Sequence, residues 1–274
     1  MSENQSLKLL AIVRRKSGLT KREFFDYHFQ QHGLKSEAPS GGEETPWVYY
    51  QTHFFDNVFP VPPQIAEGPP NGNYPFSLCD DMTELHFKNM AHLKHVMTSA
   101  HVKDVVGPDG LHFSDFGAAN AILTTVEHRI YGDEAINDSA TTADYFVLIS
   151  GKPESGIEHA EKLGPILIKS VESVGDGQIY RIDATAKLPD PTGIVKYFGA
   201  GDPSKPAYTL VFKMYMKSAS TVPTVRKVQK HFEDTVGDGI DSVFSMVLFG
   251  KRGLVLDQAR EIKFDPSRQP VLFE

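Results

Sequence analysis

The sequence predicts an α+β protein: two ferredoxin-like βαββαβ repeats in tandem, closed against each other as an intramolecular α/β barrel. Three observations predict it. Strand-like and helix-like segments follow the same order in both halves of the 274 residues. The strand segments are short and apolar or alternating, whereas the helical ones carry a stripe of 3.6-residue period. One such repeat leaves a sheet face bare, and a second copy can cover it, closing a barrel around a small interior cavity. The division falls at 1–138 and 139–274.

Composition frames the function. Hydrophobic residues make up 40%, charged residues 23%, and the net charge is −7. Mild acidity without a Lys/Arg run argues against a nucleic-acid face. The single cysteine, Cys79, excludes an internal disulfide and fits a reducing compartment. The opening MSENQSLKLLAIVRRKSG has too short and polar an apolar run for a signal peptide or a membrane span, so a cytoplasmic protein is expected.

Leu7 to Arg15 is apolar on both sides, as in a strand buried on two faces. TKREFFDYHFQQHG, Thr20 to Gly33, is a helix. Thr20 and Glu23 form a capping box, Leu19 and Phe24 a hydrophobic staple, and Gly33 is a left-handed stop. Phe24, Phe25, His28, Phe29 and His32 fall within one arc of about 140°. A second strand, WVYYQTHFF, puts Trp47, Tyr49, Gln51, His53 and Phe55 on one face. Asp56 to Phe76 holds six of the 18 prolines and reads as an inserted loop, lid-like in length. The third strand, SLCDDMTELHFK, places Met82, Glu84 and His86 on one face, and Asp81, Thr83, Leu85 and Phe87 on the other. A helix over Asn89 to Val106, the turn GPDGLHFSDF and the strand ANAILTTVEHR complete the repeat. The second half repeats the order, with strands ADYFVLISGK, QIYRIDATAK, AYTLVFKMYMK and SVFSMVLFGK. Its helices are IEHAEKLGPILIKSV, interrupted near Pro165, and TVPTVRKVQKHFEDTVG.

RRKSGLTKREFFDYHFQQHG, CDDMTELHFKN and GPDGLHFSDF resemble, in order and spacing, three motifs of the EthD family of the dimeric α/β-barrel superfamily. The resemblance covers residues 7 to 128; the second half is similar only in element order. Two departures are that His32 is followed by Gly33-Leu34 where the family has H-x-P, and Asp109 by Gly110 where it has Glu. The resemblance implies the barrel fold and a range of small-molecule chemistries: cyclases, decarboxylases, cofactor-free oxygenases, accessory proteins and distant haem enzymes.

Nine of the eleven histidines lie in the first 128 residues. That asymmetry suits a duplicated barrel in which only the first repeat keeps a working pocket. His28 and His32 are either hydrogen-bonded core histidines or rings lining a cavity, with His32, nearer the barrel mouth, ranked first. Histidines four apart can share a zinc, but the HExxH glutamate is missing and no third ligand stands near, so no metal is expected. Glu84 and His86 could share a proton in acid–base catalysis. His53, with Trp47, Tyr49 and Phe55, mixes aromatic wall and polar tip, and Phe25 and Phe29 join the same lining. His101 lies near the buried stripe of its helix; Ser99-Ala100-His101-Val102 is similar to a stretch of polyketide cyclases whose histidine acts as acid–base. No dinucleotide, phosphate-loop or nucleophile-elbow motif occurs, so no cofactor is expected. The reading is a cofactor-independent lyase or cyclase acting on a small aromatic or polyketide-like metabolite. A cofactor-free oxygenase and a binding or accessory protein are the alternatives. The partner is a small molecule, and a homodimer of such chains is compatible with the fold.

Overall fold

The computed structural model describes residues 5–39, 41–58, 79–149, 156–190, 193, 208–242 and 245–272. Strands β1 (Leu7–Val13), β2 (Val48–Val58), β3 (Asp81–Phe87) and β4 (Asn120–Thr125) belong to the first repeat. Strands β6 (Thr141–Val147), β7 (Ile179–Ala186), β8 (Leu210–Met216) and β9 (Met246–Asp257) belong to the second, and β5 (His128–Tyr131) joins the two. They make one antiparallel sheet of nine strands, in the order β4-β1-β3-β2-β9-β6-β8-β7-β5. Each repeat thus has its fourth, first, third and second strands side by side, and β2 pairs with β9 at the seam. At the opposite seam Leu188 donates its N–H to the Leu123 carbonyl at 2.8 Å, so the barrel is nearly closed. The fourth strand of the first repeat does not run on to Arg129. It ends at Thr125, and His128–Tyr131 crosses to pair with β7.

Helix α1 (Lys21–Asp26) starts at the capping box, where Glu23 N–H donates to Thr20 Oγ1 and Thr20 N–H to the Glu23 carboxylate. It runs through a π-helical turn (Tyr27–His32) into Gly33–Lys35. Gly33 does not stop it: its φ is −57°, and a Cβ there would lie 3.2 Å from the Phe264 ring, so the glycine serves close approach. Helix α2 (Met90–Thr98) breaks at Ser99 and resumes through a second π-helical turn (Val102–Val106) into Gly107–Asp109. In the second repeat α3 (Gly156–Val174) contains Pro165 without interruption, and α4 (Val222–Val236) lies beside it. Among the described residues no helix is long and apolar enough to cross a membrane. Of the proline-rich segment, Asp56, Asn57 and Val58 extend β2, and 59–76 lies outside the described residues.

The barrel interior is filled rather than hollow, which corrects the expectation of a central cavity. Leu10, Ile12, Phe54, Met82, Ile122, Phe146, Val211 and Leu248 form one buried apolar cluster. Beside it lies a charged one. Lys8 Nζ donates to Glu127 at 2.6 Å and to Glu84 at 3.3 Å, Lys213 pairs with Glu84 and Asp144, and Arg252 stacks 3.7 Å over the Tyr50 ring. Outside the barrel, α3 and α4 pack densely on their half of the sheet through Leu163, Leu167, Val171, Val228, Phe232 and Phe212. The first repeat's helices leave room.

Candidate active site

That room is a partly enclosed cavity of about 100 Å³ between the outer sheet face of the first repeat and the two π-turn helices. Ala11, Tyr49, Thr83 and Leu85 form its floor, and Val96, Val102, Val106 and Phe113 its apolar walls. Its polar lining includes His28 and His32, with Ser36, Glu44 and Ser114. The π-turns belong to both segments that border it, and such turns recur at functional sites because the extra residue breaks regular packing.

His32 Nδ1 lies 2.9 Å from Asp109 Oδ2. Asp109, buried, also accepts from the Tyr27 hydroxyl at 2.8 Å and from Lys35 Nζ. Burial alone would raise the Asp109 pKa, but these donors outweigh it and hold the carboxyl below the usual range. An ionised Asp109 accepts the Nδ1–H and leaves Nε2 of His32 with its lone pair free, unclaimed by any hydrogen bond among the described residues. Burial pushes the His32 pKa down, against the pull of Asp109. Its side chain keeps 13% exposure, an edge open to the cavity and to water.

His28 sits deeper. Its ring stacks on Phe113 at 4.5 Å and lies 5.5 Å from the His32 ring. Nε2 is 3.4 Å from both the Tyr49 hydroxyl and Thr83 Oγ1. Nδ1 faces Asp81 Oδ1 at 3.6 Å. From the other side His53 Nε2 approaches Asp81 Oδ2 at 3.4 Å, its ring stacked on Phe25 at 4.2 Å. All three groups are almost wholly buried. Burial lowers His28 to about 3 and His53 well below 6.5, and raises Asp81 well above the carboxylate range.

The other sequence-predicted residues fall elsewhere. Glu84 and His86 share a face as expected, but it is the barrel interior, where Glu84 is held by Lys8, Lys213 and Arg252. Among the described residues, Glu84, His86 and Glu127 are the one group whose donor atoms come within 4.8 Å, and Lys8 already supplies the cation between the two carboxylates. His101 Nε2 donates to the Lys35 carbonyl at 2.7 Å, tying the second helical segment to the end of the first; it does not line the cavity. Trp47 lies outside, under Lys88, and Phe55 packs against the second repeat's core. Phe25 and Phe29 stand behind the wall, and Tyr49 alone of the proposed aromatic lining reaches the cavity. Sequence pattern alone does not mark Asp109, Thr83 or Phe113 as site residues. The one signal in the sequence was Asp81, a carboxylate on the strand face that also carries Leu85 and Phe87.

Comparisons agree with this architecture. Residues 16–117 match the EthD domain family. An anthrone oxidase-like protein superposes with a TM-score of 0.54 at 8% identity, covering 92% of this chain and 94% of that one. A proposed monooxygenase from Fusobacterium nucleatum superposes at 0.50 and 11% identity, covering 96% and 97%. No curated protein sequence matches. The family match is confined to residues 16–117, whereas the whole chain shares the α/β-barrel fold of these two solved structures.

Proposed function

We propose that the protein is a cofactor-independent lyase or cyclase that takes a proton from a small, mostly apolar aromatic or polyketide-like substrate, with Nε2 of His32 as the base. The carrying observation is the His32–Asp109 pair at the wall of a mostly apolar cavity. Asp109 fixes the tautomer and stabilises the imidazolium once the proton has arrived. Water-poor walls suit a substrate that delocalises its own negative charge, such as a β-hydroxy ketone or a phenol. In a dehydration the C–H pair becomes the new double bond, the β C–O bond breaks, and the oxygen leaves as water after taking one proton. An engineered cavity of about 150 Å³ holds one benzene ring, so at about 100 Å³ this one takes a group of one ring at most, and that only as the helices part.

A second reading is cofactor-free oxygenation, favoured by the shared fold of the anthrone oxidase-like protein and the proposed monooxygenase. There the carbanion passes its electrons to O2, and the hydroperoxide formed loses water, so a CH2 group and O2 become C=O and H2O. Both begin with the same abstraction. The test follows C–H to C–D exchange of one-ring β-hydroxy ketones and phenolic ketones in D2O by NMR, with and without air, in the wild type and His32→Gln. Exchange should fall by about 10²- to 10⁴-fold in the variant; equal exchange in both proteins refutes His32 as base. Product formed under nitrogen supports the lyase, and product only in air the oxygenase.

A further inference from the structure

The cavity has a second polar feature that a single base does not use. His28 lines it, and behind His28 a carboxylate stands between two imidazoles in a place sealed from solvent. Asp81 is 0% exposed, His28 1% and His53 0%. Neither oxygen of Asp81 has a hydrogen bond among the described residues; His28 Nδ1 lies 3.6 Å from Oδ1 and His53 Nε2 3.4 Å from Oδ2. A buried carboxylate without donors is costly, and carrying a proton of its own is the cheapest remedy.

We propose that His28, Asp81 and His53 form a proton relay, in which His28 delivers a proton to the bound substrate from its Nε2 while Asp81 resupplies Nδ1. It deepens the proposed function, supplying the acid that a His32-catalysed elimination requires. The geometry gives each atom one task. Protonated Asp81 directs its O–H at His28 Nδ1. That fixes the hydrogen of neutral His28 on Nε2, between the Tyr49 hydroxyl and Thr83 Oγ1, at the cavity floor. Gln51 Nε2 holds the scaffold, donating to the Tyr49 oxygen at 2.7 Å and to the His28 carbonyl at 2.9 Å.

In the delivery step the Nε2–H bond breaks and an O–H or C–H bond forms on the substrate. The Asp81 O–H breaks as Nδ1–H forms, and Asp81 is left as a carboxylate. His53, whose Nε2 is shared between Asp81 and Gln51 Oε1 at 3.3 Å, donates to that carboxylate while it lasts. The proton taken by His32 returns through the cavity to Nε2, and the reverse shift reprotonates Asp81. The two rings stand 5.5 Å apart, close enough to serve the same ligand. Burial supports the assignment, raising Asp81 and lowering both imidazoles. The charged or titratable groups that act on the relay are Asp80 just before β3, Glu84 on the reverse face of β3, His32 from the first helix and Asp109 from the second helical segment.

The test needs no substrate. Infrared difference spectra of wild type minus Asp81→Asn at pH 7 should contain the carbonyl stretch of a neutral carboxylic acid. On transfer to D2O that band should shift, and the shift should be at least tenfold slower in His28→Phe and His28→Gln, in which the path to the cavity is cut. No neutral-acid band in the difference spectrum overturns the proposal, and so does a deuterium shift indifferent to both His28 variants. His32→Gln should leave band and shift rate unchanged. The relay and the base therefore fail separately, since loss of His32 function would alter exchange of substrate C–H and not this signal. Circular dichroism on each variant confirms that the fold is kept, and the Gln variant preserves the result should Phe disturb packing.

Discussion

Asp81 and Leu210 hold the same position in the two repeats: each opens the third strand of its copy and pairs with the last residue of the first strand, Val13 or Val147. Two steps along, Thr83 answers to Phe212, and two further Leu85 to Met214. On this one face the second repeat has three apolar side chains buried under its helices, and the first has an acid, a hydroxyl and a leucine, the last two bordering the cavity. The duplicated scaffold thus shows what the face looks like when it is built for packing alone. Asp81→Leu, which copies the second repeat, should raise stability by about 1–3 kcal/mol, the usual cost of a buried unsatisfied polar group. Turnover should fall at the same time. A urea midpoint that drops in Asp81→Leu would show that the carboxylate serves the fold.

The central position of the same two strands went the other way. Glu84 and Lys213 are equivalents as well, and they meet inside the barrel as an ion pair. The duplication has split one symmetric position into two opposite charges. Burial opposes ionisation of Glu84, yet Lys213, Lys8 and Arg252 together hold its carboxyl below the usual range. Glu84→Ala leaves three buried cations short of an anion and should cost about 3–5 kcal/mol. Glu84→Met combined with Lys213→Met should be less destabilised than the two single changes summed, because both members of the pair leave together, while Asp144 loses Lys213 and Arg252 loses Glu84. Denaturation of the three variants decides it, and an additive double mutant would contradict the pairing. Any surviving folded protein should keep its turnover, since neither residue lines the cavity.

The His32–Asp109 pair predicts a pH profile. Only the neutral imidazole is a base, so the rate is level above the His32 pKa and falls below it. Burial places that pKa under the ordinary 6.5, so the acid limb should lie below pH 6.5. Asp109→Asn removes the anion that favours the imidazolium. The limb should then move to still lower pH, and the plateau should drop by about 10²- to 10⁴-fold. Rates from pH 4 to 8 test both; a limb that moves upward in Asp109→Asn would be inconsistent with ion pairing at Nδ1.

Much of this was legible in the sequence, in the terms that periodicity carries. Alternation assigned Tyr49, Gln51 and His53 to one face and Glu84 and His86 to another, and the 3.6-residue stripe turned His28 and His32 inward. Period alone does not say whether a strand face meets a helix or a barrel interior. Hence the pattern singles out Glu84 and His86, whereas the reverse face carries Thr83 at the cavity and Asp81 behind it. Asp109 was out of reach for a different reason: it meets His32 from 77 residues away, from a segment whose own pattern shows only glycines and a proline around it. Gly33 was given a helix-stop role because glycine often has one, whereas here the missing side chain makes space for Phe264.

The buried histidines should also be visible in stability. As pH falls, an unfolded imidazole takes a proton near 6.5, and folded His28 not until about 3. Between those values the unfolded chain binds more protons, so stability drops with pH by about 1.4 kcal/mol per unit for each such histidine. His53 and His86, the latter lowered to about 4, add to the loss. Asp81 opposes it: its raised pKa lets the folded state take a proton before the unfolded state does, until the unfolded carboxyl titrates near 3.9. Asp144 is raised as well, but five lowered histidines, His32 and His92 among them, against two raised aspartates leave a net loss between pH 6.5 and 4. Urea midpoints measured at half-unit steps should therefore fall steadily across that window. His28→Phe keeps the ring stack on Phe113 and removes one titrating group, so its slope should be shallower by about one proton; an identical slope would mean that His28 is already charged in the folded protein.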